Sequence, residues 1–201
     1  MDYIDSLAEL EALYGAPPSA ALSKVARRLT PLYRRWIMAS KLCILSTVGP
    51  EGTDASPRGD DGPVVRELDP GTLALPDWRG NNRIDSLRNI VRDDRVSLMF
   101  LVPGSNNVVR VNGTARLTAD ADLRARFEKH GRQPATVIVI AIGEVYTQCA
   151  RALMRAGTWT GGDDSAGLPT VGEILAEMTK GAEGGDPYDA AWGARAAKTL
   201  W

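Results

Sequence analysis

Apolar residues recur along this chain at two spacings, and the change from one to the other divides it. Leu7, Leu10, Leu13 and Tyr14 follow helical spacing and stop at Gly15-Ala16-Pro17-Pro18. Ser19 then reads as an N-cap, with Leu22, Val25, Ala26 and Leu29 on one face of a second helix. Pro31 kinks or restarts that helix, and the pattern continues from Leu32 to Ser40. At Leu42 the spacing changes. Residues 42–48 form a compact apolar run that predicts a buried strand. After the turn Gly49-Pro50-Glu51-Gly52 comes a strand at 53–58, which Pro57 assigns to an edge or a bulge. Residues 64–68 and 72–75, joined by Asp69-Pro70-Gly71, predict a hairpin.

A short helix over 84–92 leads to a strand at 95–102, a turn at Pro103-Gly104-Ser105-Asn106 and a strand at 107–118. A charged helix is expected over about 120–130. Next comes the most apolar element, a strand at 135–146. Helical spacing returns over 147–157 and 170–180, on either side of a Gly- and Asp-rich stretch. Periodicity then fades toward Trp192 and Trp201, whose exposure would suit docking onto a partner.

Strands joined by turns, with one short helix among them, predict a mainly β protein with peripheral helices, built as a small closed barrel. The chain divides into a helical N-terminal extension (1–40), a β-barrel domain (41–160) and a helical C-terminal tail (161–201). Parallel βα repeats and a GxGxxG after a strand are absent, which counts against a Rossmann fold.

Composition narrows the function classes. The 201 residues can bury a sizeable core. A formal net charge of −1 gives no support for broad attraction to nucleic acid or membrane. The longest apolar run, 137–142, is too short to span a bilayer, and the acidic N-terminus lacks signal-peptide character. A cytoplasmic, soluble protein is the expectation. Cys43 and Cys149 form no CxxC pair. Cys149 reads as a small buried apolar group or as a reactive thiol at a helix start. His130, the only histidine, sits in Glu128-Lys129-His130-Gly131, where it would suit a helix C-terminus. Any enzyme chemistry is then expected to come from a bound cofactor.

The most informative stretch is 75–84, Leu-Pro-Asp-Trp-Arg-Gly-Asn-Asn-Arg-Ile. A strand ends at Pro76-Asp77, and a polar loop delivers Asn82 and Arg83 to the start of a helix. The N–H groups of a first helical turn and an arginine fork together suit a phosphate. An arginine at a helix start is mildly unfavourable unless an anion is present. Arg58, in Ser56-Pro57-Arg58-Gly59-Asp60, has two readings: a cation beside a bound group, or a turn arginine paired with Asp60 or Asp61. Alternation places Arg110 and Asn112 on one side of their strand and Asn107 on the other. Asn107 reads either as a hydrogen-bonding site residue or as a turn residue. Arg155 and Trp159 follow the last strand, where packing against the barrel is the simplest role.

The ordered set SPRGD, LPD, GNNR with its helix, RVSLMF and RVNGTARL resembles the pyridoxamine 5′-phosphate oxidase-like family of FMN-binding split barrels. The similarity spans roughly 40 to 160. The helical extension with AALSKVARRL, and the series from Cys149 to Trp159, look like an uncharacterised bacterial subgroup. The resemblance implies a six-stranded antiparallel split barrel, an FMN cofactor at a homodimer interface, and hydride transfer through flavin N5. It implies that Ser56, Arg58, Pro76 and Asp77 lie against the flavin, that Asn82 and Arg83 take the phosphate, and that Asn107, Arg155 and Trp159 complete the site, Trp159 from the other subunit. A positive charge such as Arg58 beside the ring would raise the flavin potential. Two departures stand out. Ile84 occupies a position that is often basic. Beyond Trp159 there is an arginine, Arg195, but no histidine, so true pyridoxamine phosphate oxidase activity is not expected. The implied function is an FMN-dependent oxidoreductase acting on a small-molecule substrate or electron donor. A flavin-binding storage or sensing protein and a deazaflavin-binding barrel are the alternatives. The latter would want a basic groove, which the sequence does not display.

Overall fold

A computed structural model describes residues 1–201. α1 (Leu7–Tyr14) starts where the Ser6 hydroxyl accepts from the Glu9 N–H and ends at Gly15, with φ 69. None of its residues is buried. α2 (Ser19–Ser23) is shorter than the sequence pattern predicts, and Ser19 is its first residue rather than its cap. The helix stops because the chain finds better backbone partners. Ala26 and Val145 exchange N–H···O bonds of 2.9 and 2.8 Å, and the Leu29 N–H donates to Pro70 O at 2.7 Å. The expected face Leu22–Val25–Ala26–Leu29 therefore does not form. α3 (Pro31–Ile37) restarts as expected, with Pro31 in its first turn and the Thr30 hydroxyl capping Tyr33 N–H.

The strands follow as β1 (Leu42–Gly49), β2 (Gly52–Gly59), β3 (Arg66–Asp69), β4 (Thr72–Asp77), β5 (Arg95–Leu101), β6 (Val108–Thr118) and β7 (Thr136–Gln148). α4 (Asp85–Arg92) lies between β4 and β5, and α5 (Ala121–Ala125) between β6 and β7. All seven strands form one antiparallel sheet in the order β2-β1-β5-β6-β7-β4-β3. The residue pattern anticipates all seven, including the β3–β4 hairpin and the edge position of β2. The family's six-stranded barrel is exceeded by one strand. The ladder does not close: β2 and β3 are its free edges.

Alternation builds the core. Cys43 and Leu45 on β1, Val96, Leu98 and Phe100 on β5, and Val109 and Val111 on β6 are buried, and they pack with Ile138, Ile140 and Val145 of β7. Leu87 and Ile90 of α4 enter the same cluster, so the helix is fixed against the barrel. Burial on this scale supplies the main stabilisation, at roughly 1.5–3 kcal/mol per large apolar side chain. β6 and β7 shift register after Asn112, where Gly113 is required: a Cβ there would lie 2.0 Å from Ala141 O.

Two expected helices are cut short. α5 ends at Ala125 instead of near 130, and Lys129 and Arg132 pair through N–H···O bonds of 2.9 and 2.8 Å around a turn. His130 sits in that turn at φ 51 and caps no helix. β7 runs on to Gln148, so α6 (Arg151–Ala156) starts late. The tail forms α7 (Val171–Met178), α8 (Gly185–Ala190) and α9 (Trp192–Thr199). α7 has a capping box between Thr170 and Glu173. No helix is long and apolar enough to cross a membrane.

Candidate functional site

A groove of about 1420 Å³ runs along the split between β2 and the end of β4. It exceeds the roughly 300–1,000 Å³ of ordinary ligand pockets. Ser56, Arg58, Pro76, Asp77, Asn82 and Arg83 all line it. Thus two distant stretches of sequence, 54–59 and 75–87, converge on one surface.

Arg58 is the most constrained of the six. Its Nη1 donates to Asp77 Oδ1 at 2.5 Å, and both side chains are mostly buried. Neither Asp60 nor Asp61 is its partner; both carboxylates accept from the Lys129 ammonium instead. Arg58 Nε is buried and has no hydrogen-bond partner. Thr136 Oγ1, also in a residue lining the groove, is likewise buried and unpartnered. Leaving such groups unsatisfied costs about 1–3 kcal/mol each, so two of them on one groove mark a place for a ligand or ordered water.

The loop before α4 is under backbone strain. Asn82 has φ 61 and Ile84 has φ 52. A left-handed β-branched residue is a genuine outlier, with a cost on the order of 1–3 kcal/mol. Ile84 is the N-cap of α4 and provides no side-chain cap, so the first N–H groups of the helix keep no side-chain partner. Further down the helix, the Ser86 hydroxyl donates to Asp54 on β2, which ties the helix start to the opposite wall. Arg83 is not a free fork. Its Nε donates to Asp85 at 2.9 Å, and its side chain is 76% exposed on the groove rim. An exposed pair of this kind holds at most about 1 kcal/mol, so an anion can compete for Arg83.

The structure separates the remaining three predicted residues from the groove. Trp159 Nε1 donates to Ser105 O at 2.8 Å, and Ser105 Oγ donates to Asn107 O at 3.4 Å, which gathers Trp159 and Asn107 at the β5–β6 turn. Arg155 is exposed in the last turn of α6. Asn107 precedes β6, so alternation within that strand does not orient it. Arg110 and Asn112 do share a face, both beside Tyr146.

Sequence reasoning missed the basic character of the groove. Arg79, Arg124 and Arg132 join Arg58 and Arg83 along it, against Asp54, Asp77 and Asp85. Arg124 and Arg132 lie far along the chain, and only the α5–β7 connection brings them here. Trp201, expected to be exposed for docking onto a partner, instead turns inward and meets Trp78 edge-on, with ring centroids 5.2 Å apart. Trp192, by contrast, is exposed. The thiols fall outside the groove chemistry. Cys149 is exposed, not a buried apolar group. Burial pushes the Cys43 thiol up to about 12, although the Arg58 charge acts in the opposite direction.

Residues 29–149 match the family described as Pyridoxamine 5′-phosphate oxidase. The chain belongs to that family. The match covers β1 to β7 and the whole of the Arg58–Arg83 groove wall, but not Trp159 or the tail. No curated protein sequence matches the chain. Among solved structures, HupZ of Group A Streptococcus is 18% identical; the match covers 59% of this chain and 93% of that one, at a TM-score of 0.48. A provisionally named pyridoxamine 5′-phosphate oxidase of Lactobacillus delbrueckii is 24% identical over 60% of this chain and 95% of its own, at 0.46. An FMN-binding protein of Syntrophomonas wolfei is 14% identical over 58% and 83%, at 0.45. This member of the pyridoxamine 5′-phosphate oxidase family has a strained Asn82–Ile84 loop and a tail that reaches the groove.

Proposed function

We propose that the protein is a flavin-dependent oxidoreductase that binds FMN in the β2–β4 groove. The observation that carries this reading is the buried, unpartnered Arg58 Nε beside a helix start that no side chain caps. One buried cation edge and one set of free N–H groups on a single groove suit a ligand with a polar ring and a phosphate. Family membership and the neighbour named as an FMN-binding protein agree with it.

Arg83, Asn82 and the first turn of α4 would hold the phosphate, and Ser56, Arg58, Pro76 and Asp77 would line the ring. FMN, when bound, supplies hydride exchange at its N5. The protein holds a fixed positive charge, Arg58, against the groove wall, and Asp77 keeps that charge in place. Buried Pro76 and Leu75 exclude water from the same wall. All three groove carboxylates are engaged, Asp54 by Ser86, Asp77 by Arg58 and Asp85 by Arg83. None is therefore assigned a proton-transfer role.

The same reading makes the protein a homodimer. Met99, Arg110 and Tyr146 form one cross-strand row and Ser97, Asn112 and Glu144 the next, on the face opposite buried Leu98 and Val111. Asn112 ties that face together, accepting from Ser97 at 2.7 Å and donating to Glu144 at 2.7 Å. A half-buried, ordered polar face with Met99 exposed suits a second copy, which would bring Asn107, Arg155 and Trp159 to a neighbour's groove.

A second reading, a deazaflavin with an anionic tail, is favoured by the five arginines of the groove. Titration of the purified chain with FMN and with a deazaflavin, together with mass spectrometry of any ligand released on denaturation, separates the two. Yellow protein releasing FMN, bleached by a nicotinamide donor and recovered by an acceptor, is the expected result. Protein that takes up neither compound overturns both readings.

A further inference from the structure

We infer that α1 is an exchanged arm, whose apolar stripe docks in the arginine-bearing groove beside α3 of a second copy of this chain. The inference is independent of the flavin reading, and the contact it names is separate from the sheet face proposed for the dimer.

α1 finds no packing surface on its own chain. Every one of its residues is exposed, Leu7, Leu10, Leu13 and Tyr14 included. At about 100° per residue these four fall on one stripe about 120° wide, with Glu9 on one border and Glu11 on the other. A helix of eight residues is marginal alone in water, because nucleation costs more than two turns return. Another surface must therefore hold it. The spacer Pro17-Pro18 is stiff, with Pro18 at φ −63 and ψ 149, and it keeps the arm off the barrel it belongs to.

Charge names the occupant. Residues 1–15 carry Asp2, Asp5, Glu9 and Glu11 and no lysine or arginine. Residues 24–41 carry Lys24, Arg27, Arg28, Arg34, Arg35 and Lys41 and no carboxylate. Of these cations only Arg34 is in a salt bridge. Within this basic segment lies a groove of about 640 Å³, lined by Ala26, Leu29, Pro31 and Pro70 together with Arg27 and Arg28. Both arginines are exposed, and Arg27 spends one N–H on Gly143 O at 3.3 Å and keeps its other donors. Leu32, which follows Pro31 in α3, is exposed as well. The groove is preformed, because the Ala26–Val145 bridge and the Leu29 N–H to Pro70 O bond pin its walls. An apolar stripe with acidic borders thus matches an apolar floor beside two arginines. Four carboxylates without a cation suit neither nucleic acid nor an anionic lipid surface. The exchange is reciprocal about a two-fold axis, each copy giving one helix and receiving one.

The test is charge reversal in the full chain, read by amide hydrogen exchange over residues 7–14. Glu9→Lys with Glu11→Lys, and separately Arg27→Glu with Arg28→Glu, are each expected to lower protection there by at least about tenfold. Neither pair should unfold the barrel, because all four side chains are exposed. Both reversals combined in one chain are expected to restore protection. Refolding the two reversed chains together should restore it too, in about half of the molecules, the share that random pairing places in matched dimers. Restoration in the combined chain but not in the mixture puts α1 on its own barrel and overturns the exchange. Protection that is unchanged by either reversal, already absent in the wild type, or restored in neither case overturns it as well.

Discussion

Arg58 on β2 donates to Asp77 at the end of β4 across 2.5 Å, although these two strands share no backbone ladder. The pair closes the split of the barrel with side chains alone. Removing one partner leaves a mostly buried charge. Asp77→Asn is therefore expected to destabilise the fold by about 1–3 kcal/mol, less than for a fully buried pair because both groups keep some solvent. Urea denaturation measures it. A midpoint equal to that of the wild type would show that the split is held elsewhere.

Arg83 and Asp85 pair at 2.9 Å on the groove rim, where the cofactor phosphate is proposed to sit. Arg83→Ala removes a charge-assisted hydrogen-bond donor and is expected to weaken FMN binding by about 10- to 150-fold. Riboflavin, which lacks the phosphate, should bind the variant and the wild type alike. Asp85→Asn frees Arg83 and removes a competing negative charge, so FMN affinity should rise a few-fold. Flavin fluorescence titrations check all three. Equal losses for FMN and riboflavin in Arg83→Ala would remove the phosphate from this loop.

Ile84 holds its left-handed backbone while its side chain is 47% exposed, so little burial offsets the strain. Ile84→Gly relieves the left-handed backbone and gives up little burial. It is expected to change stability by no more than about 1 kcal/mol in either direction, because the glycine also gains freedom in the unfolded chain. The loop should become less ordered, and FMN binding weaker, by an amount that calorimetry can resolve. Tighter FMN binding by the variant would mean that the strain opposes the ligand.

The Lys129 ammonium stands 4.5 Å from the centre of the Trp201 ring and gives the tail a pH window. Hydrogen bonding from Lys129 holds the Asp61 carboxyl below its ordinary range. Its contribution is present above the unfolded value and lost as pH falls through the lowered one. Burial pushes the Lys129 ammonium down, but Asp60 and Asp61 outweigh that and leave it raised. Its contribution is full below the unfolded lysine value and lost only as pH rises through the raised one. Trp201 should stay docked through the neutral range and detach at both extremes. Tryptophan emission against pH, compared with Trp201→Phe, measures this. A transition near neutrality would contradict it.

The sheet was legible because its signals are local. The apolar runs at 42–48 and 95–102 and the turn residues around Asp69-Pro70-Gly71 fix strands without reference to anything distant. Asn82-Arg83 drew attention through their place at a helix start, whereas Ser56, Arg58, Pro76 and Asp77 were singled out by the family resemblance; all six line one groove. What escaped was set by tertiary competition. Residues 24–29 have a helical face, yet Ala26 takes a strand partner in Val145. His130 looked like a helix end because nothing local announces that α5 stops at Ala125. Arg58 pairs with Asp77 on another strand while Asp60, its near neighbour in sequence, pairs with Lys129 far along the chain, and neither choice can be read locally.

The free edge of β2 has a mechanical meaning. A barrel whose last join is ionic can widen there by separating a few side chains, with every amide–carbonyl rung of the sheet left intact. The same scaffold would then admit ligands of different girth, and because the Arg58–Asp77 pair is mostly shielded from solvent, added salt would loosen it only weakly.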